Sequence, residues 1–77
     1  MPNASAPARS VNVRQVPIEL CQFIKFSGLA ATGGEAKQLV AGGSVQLNGA
    51  IEKQKRKKLV AGDRVTLGGQ TLTVDLA

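Results

Sequence analysis

The 77-residue chain contains no histidine, tyrosine or tryptophan, and only one cysteine. Each absence closes off a class of function. Without histidine, the usual general base for a Ser, Cys or Thr nucleophile is missing. With Cys21 alone, no intramolecular disulfide forms and the usual four-ligand zinc site is excluded. A small domain without disulfide staples fits a reducing, cytoplasmic compartment. The five carboxylates (Glu19, Glu35, Glu52, Asp63 and Asp75) are scattered without the paired spacing of acid–base catalysis. The glycine pairs Gly33-Gly34, Gly42-Gly43 and Gly68-Gly69 lack the Lys-Ser or Lys-Thr ending of a phosphate loop. No apolar run reaches the length of a membrane span. The start, MPNASAPARSV, has neither the basic head nor the apolar run of a signal peptide. The expectation is a non-enzymatic chain with no cofactor, no metal, no small-molecule substrate and no membrane partner.

Aromatic residues are nearly absent as well: Phe23 and Phe26 make up the whole 3% share. Single-stranded nucleic acid is usually read by stacking bases on aromatic side chains, so that mode is nearly closed. Phe23 belongs to an apolar stripe, and Phe26, at a helix end, is expected to be buried too.

Basic residues are present in excess. Ten Lys and Arg against five Asp and Glu give a formal charge of +5. The partner should be anionic: nucleic acid, an anionic surface or an acidic protein. The hydrophobic share of 43% suits a globular chain. At this length, one domain burying about 60% of its unfolded surface is the natural expectation. Residues 1–8 are small, polar and proline-containing and read as a flexible tail, leaving residues 9–77 as the domain.

Along the chain, SVNVRQV reads as a short strand or as extended coil, with Val11 and Val13 alternating against polar neighbours. PIELCQFIKFSG predicts a helix from Pro17 to a left-handed cap at Gly28. Leu20, Cys21, Phe23 and Ile24 form its apolar stripe, which makes Cys21 a small core residue and not a reactive thiol. Thr32 and Glu35 are spaced as a capping box that opens a second helix. Ala36, Leu39 and Val40 follow at helical spacing, Gly42-Gly43 end the helix, and Lys37 and Gln38 face outward. The period then changes to two. Asn48-Gly49 follows Val45 and Leu47 as a hairpin turn, and Gly68-Gly69 repeats the signal in RVTLGGQTLTVDL. The second turn pairs Val65 with Leu72. It puts Leu67, Val74 and Leu76 on their face and Thr66, Thr71, Thr73 and Asp75 on the other. The C-terminal strand would then leave an exposed sheet edge. Two helices followed by hairpins predict an α+β fold: two short helices at a corner, packed on a small, mostly antiparallel sheet.

The ordered set Gly28-Leu29, Ala36-Lys37-Gln38-Leu39-Val40, Gly43-Ser44-Val45-Gln46-Leu47-Asn48-Gly49 and Gly62-Asp63 resembles a known family. It is the RNA-binding domain named after ribosomal small-subunit protein four, also called the αL domain. The match runs from Ile18 to about Leu67. The opening IELCQFIKFSGLA and the later basic run also resemble the freestanding, minimal bacterial members called YbcJ-like. The resemblance implies an αL fold that binds structured RNA, ribosomal RNA or another folded RNA, without catalysis. One departure stands out. Many members carry Ser-Arg at the start of the second helix, where this chain has Thr32-Gly33. Thr32 still caps, but the arginine is absent, and the glycines instead offer a phosphate close approach to the helix N-terminus.

The run EKQKRKK sets five basic side chains within residues 53–58. Alternation in an extended backbone would put Lys53, Lys55 and Lys57 on one side and Arg56 and Lys58 on the other. The run is either a solvated connector or a binding surface, and its self-repulsion favours the second. The candidate RNA-binding residues are Lys37, Gln38, Asn48, Lys53, Lys55, Arg56, Lys57 and Lys58, with Lys25, Thr32, Gly33 and Arg64 as further candidates. Arg56 suits a bidentate phosphate contact because its planar fork matches the anion. The expected species is a monomer associated with RNA, the ribosome or another ribonucleoprotein. The alternative is a module that docks on an acidic or ribosome-associated protein, with DNA binding behind it.

Overall fold

The computed structural model describes residues 8–77. The expected tail lies outside the described residues, except that Ala8 opens the first strand. Seven strands and two helices follow in the order β1 (Ala8–Val13), β2 (Ile18–Glu19), α1 (Leu20–Phe26), α2 (Gly33–Ala41), β3 (Val45–Leu47), β4 (Ala50–Ile51), β5 (Lys58–Leu59), β6 (Arg64–Leu67) and β7 (Gln70–Leu76). The α+β expectation holds, with a five-stranded sheet ordered β1-β7-β6-β3-β4 and a separate β2-β5 pair.

Both glycine turns act as the sequence implies. Asn48 and Gly49 have φ of 52° and 88°, and Gly68 and Gly69 have 60° and 80°. This left-handed pair of central residues matches the twist of a two-residue hairpin. The register follows, with Val65 opposite Leu72 and Thr66 opposite Thr71. The two threonine hydroxyls meet at 3.0 Å on the outer face. Inward, Val45, Leu47, Val65, Leu67, Leu72 and Val74 meet Leu20, Phe23 and Ile24 of α1 and Ala36 and Val40 of α2 in one buried cluster. Leu76 continues the alternation of Leu72 and Val74 but is 50% exposed. It sits at the end of β7, opposite Val13.

Three expectations need correction. The C-terminal strand is not an edge: β1 pairs with β7 in parallel, from Ala8 opposite Thr71 to Val13 opposite Leu76. SVNVRQV therefore contributes the tail of a true strand, and the edges are β1 and β4. The first helix does not begin at Pro17. Ile18 and Glu19 are extended and pair with Leu59 and Lys58, so the long-range ladder overrides the local helix signal. Finally, Phe26 is not buried; it is 58% exposed at the last position of α1.

The helix caps follow the sequence closely. Thr32 Oγ1 accepts a hydrogen bond from the Glu35 N–H at 3.1 Å. Glu35 Oε1 accepts in turn from the Ala31 N–H at 2.7 Å, one residue before the cap. Gly28, at φ 87°, ends α1, and the Leu29 N–H reaches back to the Ile24 carbonyl at 3.1 Å.

Candidate nucleic-acid interface

The basic run is exposed at every position from Lys53 to Lys58, yet its backbone is held at several points. The Glu52 N–H donates to the Val45 carbonyl at 3.0 Å, and the Lys57 N–H donates to the Gln54 carbonyl at 3.1 Å. Two further bonds matter most. The Leu20 N–H donates to the Lys57 carbonyl at 2.9 Å, and the Cys21 N–H to the Lys55 carbonyl at 3.1 Å. The first N–H groups of a helix have no partner within the helix. At α1 the N-cap Glu19 makes no side-chain capping bond. Loop carbonyls take that role, so the helix start and the basic run fix one another.

The run therefore turns at Lys55-Arg56 and does not lie extended. The expected division into Lys53, Lys55 and Lys57 on one side, with Arg56 and Lys58 opposite, gives way to a different grouping. Lys55 and Arg56 point toward an open cleft of about 240 Å³ that is also lined by Lys25 of α1 and by Gly33 and Lys37 of α2. Four cations from three separate segments thus share one concavity. Its single carboxylate, Glu19, is paired with Lys58 Nζ at 3.4 Å. Gln22 and Cys21 complete the wall. Cys21, only 8% exposed, packs into the core from behind it.

A second, shallower cleft lies across the loop, where Lys53, Gln54, Lys55 and Arg56 face Ala41 at the end of α2. The Lys53 stem rests over Gly43: a Cβ at that glycine would lie 3.4 Å from Lys53 Cε. Lys55 and Arg56 border both clefts and form the ridge between them.

The remaining sequence candidates divide by position. Gln38 and Lys57 are exposed but line neither cleft. Thr32 uses its hydroxyl as the α2 cap. Gly33 borders the cleft, and a Cβ there would meet nothing within 4 Å, so the approach to the α2 start is open. Asn48 is engaged elsewhere. Its Nδ2 donates to Asp63 Oδ1 at 3.2 Å and its Oδ1 accepts from the Arg64 N–H at 2.9 Å. Asp63 Oδ2 accepts from the Val60 N–H at 2.9 Å, so these residues clamp the β3–β4 hairpin to the start of β6. The Arg64 side chain is exposed and lines neither cleft. Glu19 and Gln22 line the cleft too, although neither belongs to the basic pattern. The signal for Gln22 was present, since positions 21, 22 and 25 share a helical face.

Among the described residues, no group of three or more His, Cys, Asp or Glu side chains could hold a metal ion. No helix among the described residues is long and apolar enough to cross a membrane.

A model of the S4 domain matches residues 11–75. YbcJ of Escherichia coli (strain K12) is 40% identical over 57 residues, spanning 74% of this chain and 81% of that protein. YbcJ of Shigella flexneri matches to the same extent. The solution structure of the E. coli protein, described as revealing an αL motif involved in RNA binding, covers 97% of this chain. It aligns over 91% of its own length, with a TM-score of 0.63 and 35% identity. The two-helix corner, the hairpins and their order along the chain are thus those of the family that the motifs resemble, and the chain belongs to the S4 domain family, a non-enzymatic class of RNA-binding domain.

Proposed function

We propose that this chain binds structured RNA, ribosomal RNA being the leading class of target, through the cleft between α1, α2 and the loop of residues 52–57. The observation that carries this reading is the convergence of Lys25, Lys37, Lys55 and Arg56 on one concavity. Such an arrangement suits the sugar–phosphate backbone of a folded RNA, whose phosphates are placed by its tertiary shape. Arg56 makes the bidentate phosphate contact, and the lysines act as point charges on neighbouring phosphates. Lys53 extends the track across the ridge, while Lys57, Lys58, Gln38 and Arg64 supply the weaker surrounding field. Gly33 keeps the approach to the α2 start open. Asn48 and Thr32 act indirectly, by holding the hairpin and the helix that carry the contacts.

The relatives support RNA as the anion, because the E. coli structure is described in terms of an RNA-binding αL motif. The domain binds as a monomer and attaches to a ribonucleoprotein without changing its substrate chemically.

The test is a competition measured with the whole chain. A folded ribosomal RNA fragment, an unrelated folded RNA and duplex DNA compete at several salt concentrations. If about five phosphates are engaged, log K falls with log salt at a slope of about −3.5 to −4.5. Preference for folded RNA over DNA, with that slope, supports the reading. A slope near zero, or equal affinity for DNA, contradicts it. Retention of a specific protein after nuclease treatment, with no RNA affinity, would establish the protein-docking alternative instead.

A further inference from the structure

A third concavity, a groove beside the cationic cleft, lies on the other flank of α1. It has a volume of about 350 Å³, and Phe26 forms part of its wall with Pro17, Ile18 and Val13. Arg14, Gln15 and Gln22 supply its polar groups, and among the described residues no carboxylate lines it. Phe26 is one of only two aromatic residues in the chain, and at 58% exposure it is turned largely to solvent. The other, Phe23, is fully buried in the core.

Two features join this groove to the cleft. Gln22 lines both of them. Lys25 and Phe26 are consecutive, with Lys25 on the cleft side and Phe26 on the groove side. A nucleotide whose phosphate sits among the cleft cations therefore has its neighbour at the groove entrance. The groove's contents match a nucleobase: an aromatic ring for the π-face, a guanidinium and two primary amides for the polar edges, and positive charge for the attached phosphate.

We propose that this groove is a nucleobase subsite, in which one unpaired base of the bound RNA stacks on Phe26 while Arg14 and Gln22 meet its edge. This rests on the RNA reading above and adds to it: the target carries a bulged or looped-out nucleotide next to the helix whose backbone occupies the cleft. The domain then reads both backbone shape and the presence of an extruded base. Base identity is read weakly, because stacking accepts every base and the amides can donate or accept.

The test uses the whole chain and two RNA hairpins that differ only by a single-nucleotide bulge carrying 2-aminopurine in the bulged form. Wild-type protein should bind the bulged hairpin more tightly and change the fluorophore's emission on binding. Phe26→Ala should weaken bulged-hairpin binding by about 5- to 150-fold, the range for loss of one base–aromatic stack. It should leave the fully paired hairpin and the salt slope unchanged. Phe26→Tyr, which keeps the ring, should restore both affinity and emission change. Circular dichroism melting of each variant confirms that the fold persists. Equal loss for both hairpins, no loss, or failure of Phe26→Tyr to restore binding would overturn the subsite while leaving the RNA reading intact. Wild-type protein that binds neither hairpin, nor any folded RNA, would overturn both. A Phe26→Ala variant that loses a nuclease-resistant protein partner but no RNA affinity would reassign the groove to protein docking and overturn the proposal.

Discussion

The Cys21 N–H donates to the Lys55 carbonyl at 3.1 Å, so a core residue of α1 and a cation of the basic run share one hydrogen bond. With the bond from Leu20 to Lys57, it makes the run part of the helix start instead of a free connector. The consequence is measurable by hydrogen exchange. The Leu20 and Cys21 amides should exchange at least about tenfold more slowly than those of Gly33 and Gly34. The latter N–H groups, in the first turn of α2, have no partner among the described residues. Equal exchange at the two helix starts would show that the loop is not docked.

Arg56 sits on the ridge between the two clefts with its side chain exposed. Arg56→Ala should lower affinity for folded RNA by about 3- to 30-fold at low salt, the worth of a charge-assisted bond near the surface. The salt slope should shrink by about 1. Stability should change by no more than about 0.5 kcal/mol, read from denaturant melts.

Glu19 is the one carboxylate lining the cleft among the described residues, and its ion pair joins a half-buried Glu19 to an exposed Lys58. Such a pair contributes less than about 1 kcal/mol to stability. Its negative charge opposes a bound phosphate. Glu19→Gln should therefore strengthen RNA binding by about 2- to 5-fold at low salt, with the gain fading as salt rises. Weaker binding would mean that Glu19 positions Lys58 for contact.

Asn48 tests structure apart from binding. Asn48→Gly keeps the left-handed turn at φ 52° and the backbone bond to the Arg64 carbonyl but removes the side-chain bonds to Asp63 and the Arg64 N–H, and should cost about 1–2 kcal/mol. Asn48→Ala should cost about 1 kcal/mol more, because alanine has neither glycine's freedom nor asparagine's tolerance of left-handed backbone. The difference between the two variants, read from thermal or urea melts, isolates the turn from the clamp.

The two phenylalanines give the sharpest contrast in packing. Phe23→Ala opens a cavity beneath the sheet and should cost about 3–5 kcal/mol. Phe26→Ala should cost less than about 1 kcal/mol, because its ring is mostly in water. Both values come from chemical denaturation of the free protein.

What was legible in the sequence was what local patterning encodes. The Asn48-Gly49 and Gly68-Gly69 turns, the Thr32 cap and the stripe of Leu20, Phe23 and Ile24 all depend on neighbours within a few residues. The pairing of β1 with β7 joins residues more than sixty positions apart, and no local period announces it. The same is true of Ile18 and Glu19, whose helix signal yields to a ladder with residues 58 and 59. At the site, the basic run was visible as composition, but its turn at Lys55-Arg56 was not, because that turn is set by where the α1 amides stand. Lys25 and Lys37 were identified singly, and only the corner between the helices shows that they face Arg56 across one cleft. Phe26 departs from the buried stripe because, as the last residue of α1, it lies beside the extended Pro17-Ile18 segment instead of the core.

The most direct measurement is a titration of isotope-labelled protein with a folded RNA hairpin, followed by amide and side-chain NMR shifts. The account predicts saturable shifts centred on Lys25, Gly33, Lys37, Lys55 and Arg56, with the β6–β7 turn silent. Shifts centred instead on Asn48, Arg64 and the β3–β4 hairpin, or none that saturate, would contradict it.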